Sequence, residues 1–292
     1  MRGSPTLSAT AAAGATTLQI ANAFGANLLK YTQQFDNAYW SKNGASITAD
    51  ATTAPDGTST ADKLVESAAN ADHNIERRTI AGDTGAAHTW SVYAKAAERS
   101  AIRVQLFGAN TANSIYANAN LSSGVISSSG ASGAGVLQSA AISNVGDGWY
   151  RISVSGRVEP VDGGDFYAVR VAIINPSTVY LGDGTSGVYI WGAQFEQGSA
   201  ASAYDPYATL KAGDMIGAGG QLVQVVADAT AGADAVITAS IRPALRAQVA
   251  AGSAVLWDKP TATFILTSPE VRVGYRPALG EEIALDFMEV FA

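Results

Sequence analysis

Apolar and polar residues alternate along much of this 292-residue chain, and glycine–aspartate turns separate the alternating stretches. The clearest alternating stretches are residues 90–95 (WSVYAK), 101–107 (AIRVQLF), 149–158 (WYRISVSGRV), 167–174 (YAVRVAII) and 188–196 (VYIWGAQFE). Turn sequences lie between them at residues 55–57, 146–148, 162–164 and 182–184. A period of two is the pattern of half-buried strands, and repeated short strands with such turns are typical of an antiparallel sandwich or jelly roll. The alternation therefore predicts an all-β fold, with residues 60–69 as a candidate short helix.

Charge and residue usage exclude several classes of function. Lys and Arg total 18 against 25 Asp and Glu, which gives a net charge of −7. A nucleic-acid-binding surface needs a basic stripe, so we expect no nucleic acid partner. No apolar run reaches the roughly 18–20 residues of a membrane span, and the first residues lack the apolar core of a leader, so we expect no membrane insertion.

The numbers of cysteines and histidines limit which metal sites and which nucleophiles the chain can have. The chain has no cysteine, which removes disulfides, thiolate nucleophiles and cysteine-based metal sites. His73 and His88 are its two histidines, so a site built on several histidines is excluded too.

The two ends of the chain have a different sequence pattern from its middle. From residue 210 onward, short strands alternate with tight turns in the manner of a small open barrel, and residues 15–25 (ATTLQIANAFG) supply a further strand of the same type. We therefore predict a discontinuous β-barrel-like domain from residues 1–25 and 208–292. An inserted antiparallel jelly roll, or β-sandwich, occupies residues 26–207. Residues 121–135, rich in Ser and Gly, predict a loose hairpin or a flexible loop.

The middle segment resembles a known family. Residues 27–66, with NLL at 27–29, Phe35, Trp40 and the run APDGTSTADKL, are similar to the carbohydrate-binding-module-like jelly roll of tailed-bacteriophage tail and fibre proteins. The WYR run at 149–151 and the run YIWGAQFEQG at 189–198 followed by Tyr204 fit the same resemblance.

The flanks resemble a second phage family. The GSP run at 3–5, LKAGDMIGAGGQL at 210–222 and IRPALR at 241–246 are similar to tail-tip proteins of the distal-tail, or baseplate, type. This resemblance implies other phage tail proteins as partners, a homo-oligomer (trimer or hexamer), and a location in the virion tail after synthesis in the bacterial host cytoplasm.

Catalytic constellations are not apparent in the sequence. Glycoside hydrolysis needs two facing carboxyls, whereas Asp147, Asp162, Asp165 and Asp183 all lie in glycine-rich turns, where turn capping accounts for them. No Gly-x-Ser-x-Gly elbow precedes a helix. We therefore expect no enzymatic activity and no cofactor.

A structural calcium ion is a separate possibility. The resemblance to carbohydrate-binding jelly rolls implies that one such ion could be held by Asp36, Asp62 or Asp183, although no loop has the dense acidic spacing of an EF-hand.

Outward-facing residues on the alternating strands predict a glycan site. Alternation places Trp90 in the core and turns Tyr93, Arg103, Gln105 and Arg170 away from their apolar neighbours. Aromatic rings pack on the C–H faces of sugars while polar side chains bind the hydroxyls, so these four residues could line one face that binds glycan. The alternative is a solvated outer face. Trp40, Trp149 and Trp191 lie in the shared motifs and are expected in the core.

Three functions follow from these observations. The first is a structural component of a phage tail tip or baseplate whose jelly roll projects towards the host surface. The alternative is a dedicated host-glycan receptor-binding (adhesion) protein. A polysaccharide depolymerase comes third, because the sequence shows no catalytic constellation.

Overall fold

The computed structural model describes residues 5–21, 27–81, 85–108, 112–158, 166–205, 209–233, 235–256, 264–266 and 287–289. These residues form strands, turns and loops; none of them belongs to a helix that could cross a membrane. The predicted all-β fold class is confirmed. The strands in chain order are β1 (Thr6–Leu7), β2 (Thr17–Ala21), β3 (Ser41–Asn43), β4 (Ala45–Thr52), β5 (Ala61–Glu66), β6 (Asn70–Asp72), β7 (Asn74–Ala81), β8 (His88–Ala96), β9 (Ala101–Phe107), β10 (Ser114–Asn120), β11 (Val125–Ser132), β12 (Val136–Gly146), β13 (Trp149–Arg157), β14 (Phe166–Ile173), β15 (Val179–Leu181), β16 (Gly187–Gln197), β17 (Thr209–Leu210), β18 (Met215–Ala218), β19 (Gln221–Val225), β20 (Ala229–Thr230), β21 (Ile237–Arg242), β22 (Val255–Leu256), β23 (Phe264–Leu266) and β24 (Phe287–Glu289).

The chain divides into two compact units. The first, which we call the sandwich unit, contains the described residues from 27 to 205 together with Ala231–Ala235. The second, the barrel-like unit, contains residues 5–21, 209–230 and those from 236 onward.

The barrel-like unit joins the two ends of the chain in one sheet. Its six strands have the order β1-β2-β21-β19-β18-β22, and an isolated antiparallel bridge joins Thr6 of β1 to Ala254, the residue before β22. Strand β2 pairs directly with β21, which lies more than 200 residues further along the chain. Because Ile237, Ala239 and Ile241 of β21 are buried and alternate with exposed residues, this sheet has one apolar inner face.

The sandwich unit consists of two six-stranded antiparallel sheets. The first, here the front sheet, has the order β11-β10-β9-β14-β7-β3. The second, the back sheet, has the order β12-β13-β8-β16-β5-β4. A small pair of strands, β6 and β15, lies beside them.

Strand β9 illustrates why these sequences form a sandwich. Ile102, Val104 and Leu106 alternate along the strand and are fully buried in the apolar layer between the sheets. Arg103, between two of them, points to the outer face of the front sheet and is half-buried. Burying one face of each strand against the other sheet therefore fixes which residues reach the outside.

Trp90 confirms its predicted place in the core. It belongs to β8 of the back sheet and is fully buried. Its indole nitrogen Nε1 donates a hydrogen bond of 3.3 Å to the backbone carbonyl of Arg170, in the front sheet. A buried tryptophan contributes about 3–5 kcal/mol relative to alanine, so this side chain is a large part of what holds the two sheets together.

Two local predictions differ from the structure. Residues 60–69 were expected to include a short helix, but Ala61–Glu66 is strand β5, which pairs with β4 and β16. Its burial on both sides shows that strand pairing and packing override the weak helix preference of an alanine-containing segment. Within residues 121–135 a turn leads into Val125–Ser132, an edge strand that pairs with β10 through a register that shifts once, between Asn118 and Ala119. The predicted hairpin is therefore present, and a flexible loop is not.

The domain boundaries generate a prediction. Residues 26–207, expressed alone, should unfold in one cooperative transition and give β-type circular dichroism, because both sheets and the apolar layer lie within them. The fragment loses the hydrogen bond from the Tyr31 amide to the Ala233 carbonyl, a cost of about 1 kcal/mol. A molten or insoluble fragment, beside a folded full chain, would contradict the prediction.

Candidate functional site

Strand pairing brings polar side chains together on the outer face of the front sheet, which we call the polar face. Directly paired residues point to the same side of a sheet, so the registers define rows that cross it. One row contains Ser41, Glu76, Arg170, Gln105, Tyr116 and Gly130. The neighbouring row contains Asn43, Asn74, Ala172, Arg103, Asn118 and Ser128.

Three of the four predicted glycan-binding residues share this face. Arg103 and Gln105 lie on β9, and Arg170 lies on the adjacent β14, directly opposite Gln105. Tyr93 lies on β8 in the back sheet, so the expectation that all four line one face is wrong for Tyr93. Alternation assigns a residue to one side of its own strand but does not say which sheet the strand joins.

Arg103 lies at the centre of the more open part of the polar face. Its Nε donates to the side-chain oxygen of Asn118 at 2.8 Å, and its guanidinium lies over the Tyr116 ring, 4.5 Å from the ring centroid. Asn118 in turn donates to the Ser128 hydroxyl at 2.9 Å. The half-buried Arg103, Tyr116 and Asn118 and the exposed Ser128 form one connected group of donors, acceptors and an aromatic ring.

Gln105 and Arg170 of the first row are buried more deeply than Arg103. Gln105 and Arg170 are 7% and 9% exposed, so these two residues are not part of a freely solvated face. Gln105 donates to the Ser114 hydroxyl at 3.0 Å, and the Arg170 guanidinium pairs with Asp72. These contacts hold in place the strands that carry Arg103 and Tyr116.

Tyr116, Asn118 and Ser128 are the site residues that the sequence interpretation did not select. Tyr116 and Asn118 lie in β10 (SIYANAN), where Ile115, Ala117 and Ala119 are buried and the residues between them point outwards. The same alternation could have identified them. Gly130 opposes Tyr116 on β11, and a Cβ atom there would lie 3.0 Å from the tyrosine hydroxyl oxygen.

Tyr93 belongs to a separate aromatic cluster on the back sheet. Its ring centroid lies 5.3 Å from that of Trp191 and 5.8 Å from that of Tyr204, and the Arg151 guanidinium lies 5.4 Å from it. The buried Trp149 also belongs to this cluster, and Tyr93, Tyr189 and Tyr204 pack against it half-buried. All three tryptophans are in the core as expected, Trp40 in the main apolar core and Trp149 and Trp191 in this second buried cluster.

The motif at 189–198 has a structural explanation. The Gln194 side chain donates to the Ala203 carbonyl at 3.3 Å and accepts from the Asp205 amide at 2.9 Å. Glu196 accepts from the amide of Ser202 at 3.0 Å. These buried side chains fasten the segment after β16 back onto the sheet, and so place Tyr204 against Trp191.

Two of the three carboxylates considered for calcium, those of Asp62 and Asp183, accept hydrogen bonds from other parts of the protein, whereas the bond at Asp36 is to its backbone carbonyl. Asp62 accepts from the amides of Phe35 at 2.8 Å and Asp50 at 3.0 Å, and the Lys42 ammonium donates to the carbonyl of Asp36 at 2.8 Å. Asp183 accepts from backbone and hydroxyl groups of its own turn and from Arg99.

Within the described part of the chain, no three His, Asp or Glu side chains are grouped to hold a metal ion. The calcium ion stays a prediction.

Two of the four aspartates considered as catalytic acids lie in described turns between strands, and the other two lie outside the described residues. Asp147 lies in the turn between β12 and β13, and Asp183 in the turn before β16. Asp162 and Asp165 lie outside the described residues.

Comparison with known proteins gives structural likenesses alone. No family model and no curated protein matches the chain. The enzymatically active domain of bacteriophage CBA120 tailspike protein 4 is similar at 15% identity and a TM-score of 0.38, covering 59% of this chain and 21% of that one. The CBM22-1 xylan-binding domain of Paenibacillus barcinonensis Xyn10C matches at 11% identity and a TM-score of 0.36, covering 65% and 99%.

A CBM4 structure matches at 15% identity and a TM-score of 0.29, covering 56% of this chain and 83% of that one. Such identities and scores extend neither activity nor ligand from those proteins to this chain.

The buried Asp62 generates a prediction about pH. The pKa of its carboxyl is raised to about 6, chiefly by burial; the charges of Asp36 and Asp50 also raise it, and the hydrogen bonds from the two amides lower it. Between about pH 4 and 6 the folded chain then holds a proton that the unfolded chain has lost. The contribution of Asp62 to the free energy of unfolding therefore falls as the pH rises through this window, by up to about 3 kcal/mol.

Urea unfolding of the parent and of Asp62→Asn across this window measures the effect. As the pH rises, the free energy of unfolding of the parent should fall relative to that of Asp62→Asn. Asp147→Asn, at an exposed turn, is the control and should show no such shift. A constant difference for Asp62→Asn would contradict the prediction.

Proposed function

We propose that the sandwich unit binds glycan through the polar face. The observation that carries this proposal is the connected group of Arg103, Tyr116, Asn118 and Ser128 on three adjacent strands. Sugar recognition needs several hydrogen-bonding groups at fixed separations beside an aromatic ring. Rigid strands supply these separations better than loops do.

We further propose that the chain is a structural component of a phage tail tip or baseplate. The motifs at 27–66, 189–204, 210–222 and 241–246 support this role. The arrangement of the chain is compatible with it, because the barrel-like unit is built from both chain ends and the sandwich unit departs between β2 and β17. The barrel-like unit would attach to other tail proteins, in a trimer or hexamer, while the sandwich unit would contact the host surface.

Attachment without catalysis is part of the same proposal. A face of this kind, built on the strands of a sheet, would hold each saccharide weakly. Several copies on one particle would convert weak single-site affinity into stable adsorption. The virion tail is the proposed location, and no cofactor is required.

Removal of the Tyr116 ring tests this function. Tyr116→Ala deletes the phenol and the surface on which the Arg103 guanidinium lies, so binding of the purified chain to host surface polysaccharide should fall roughly tenfold or more. Phage particles carrying the variant should adsorb more slowly to host cells. Gly130→Val provides a second variant, because it keeps Tyr116 and displaces its ring.

Tyr189→Ala is the matched control. Tyr189 is a half-buried tyrosine of β16 in the back sheet, and its loss should leave binding unchanged. The unfolding midpoint of each variant shows whether the fold is intact. Binding that survives both Tyr116→Ala and Gly130→Val in folded protein would overturn the site, and absence of the chain from purified particles would overturn the tail role.

A further inference from the structure

Arg103 differs from the arginines near it on the polar face, because those arginines have carboxylate partners. Arg78 and Glu76 form a two-point ion pair, with N–O distances of 2.7 and 3.3 Å, and Arg170 pairs with Asp72. Arg103, by contrast, contacts the neutral side chains of Asn118 and Tyr116. Among the described residues, Arg103 has no ion-pair partner.

The surroundings of Arg103 make a negative partner favourable. Burial lowers the pKa of its guanidinium, and the charge of Arg170 lowers it as well, while Tyr116 and Asp72 act in the opposite direction. A partly desolvated cation beside a second cation is costly, and a carboxylate or phosphate offsets that cost better than a neutral hydroxyl does. Such pairing is strong when the guanidinium is already oriented.

Orientation is provided by the neighbouring strands. Asn118 accepts from Nε of Arg103, and the Tyr116 ring supports the plane of the guanidinium from one side. The two terminal nitrogens have no hydrogen-bond partner among the described residues. A planar oxyanion can accept from both at once, which is the usual two-point contact between guanidinium and carboxylate or phosphate.

We propose that the polar face selects acidic saccharides, in which a carboxylate or a phosphate on the glycan pairs with Arg103. This inference rests on the proposed glycan-binding function and names the chemical class of its ligand. Tyr116, Asn118 and Ser128 contact the neutral part of the sugar, and Arg103 distinguishes charged from uncharged chains. The overall negative charge of the protein makes this local cation a selective feature and not part of a general basic surface.

Pairs of polymers that differ in charge alone test the proposal with the purified full chain. Polygalacturonate is compared with its methyl ester for the carboxylate, and phosphomannan with dephosphorylated mannan for the phosphate. We expect at least one acidic polymer to bind roughly tenfold to a hundredfold more tightly than its neutral counterpart. That preference should weaken at high salt, since screening reduces interactions between accessible charges.

Substitution of Arg103 identifies the group responsible. Arg103→Gln should remove the preference for the acidic polymer, and Arg103→Lys should retain part of it, because lysine keeps the charge and loses the two-point geometry. The matched control is Arg157→Gln, at an exposed arginine of β13 in the back sheet, which should keep the full preference. Circular dichroism and the unfolding midpoint confirm that each variant is folded.

The possible outcomes distinguish this inference from the glycan-binding function on which it rests. Equal binding of acidic and neutral polymers, or a preference that survives Arg103→Gln in folded protein, overturns the acidic-ligand inference. Binding of host polysaccharide that still depends on Tyr116 would leave the glycan-binding function standing in either case. If neither acidic polymer binds, the inference is likewise overturned.

Discussion

The apolar layer between the two six-stranded sheets determines where every other feature of the sandwich unit lies. Ile102, Val104 and Leu106 must face that layer, so Arg103 and Gln105 must face outwards. Trp90 reaches across the layer and bonds the backbone of β14, which holds the two sheets in a fixed relation. The positions of the polar side chains are thus a consequence of hydrophobic burial on the opposite side of the same strands.

Alternation along the sequence predicted the fold class and the outward direction of Arg103, Gln105 and Arg170. It could not place Tyr93, because membership of a sheet depends on pairing between strands that are far apart in sequence. The segment at 61–66 was misread for the same reason, since its strand is stabilised on both sides by β4 and β16. Residues 114–120 carried a readable signal, and Tyr116 and Asn118 could have been selected from it.

The residues that carry the family resemblance and the residues of the candidate site are largely different. Trp149, Trp191, Gln194 and Glu196 fasten loops and the segment after β16 to the back sheet. Arg103, Tyr116 and Asn118 lie outside those motifs, on the front sheet. A binding face separate from the residues that hold the scaffold together would allow the ligand to change without loss of the fold.

Hydroxyl-radical footprinting of the full chain, with and without bound host polysaccharide, tests most directly that glycan lies on the polar face. Tyr116, Tyr93 and Tyr189 are all partly buried tyrosines, so one sample contains both the site and its internal controls. The account predicts that saccharide reduces oxidation of Tyr116 severalfold and leaves Tyr93 and Tyr189 unchanged. Protection of Tyr93 and Tyr189 without protection of Tyr116 would place the glycan on the back sheet and contradict it.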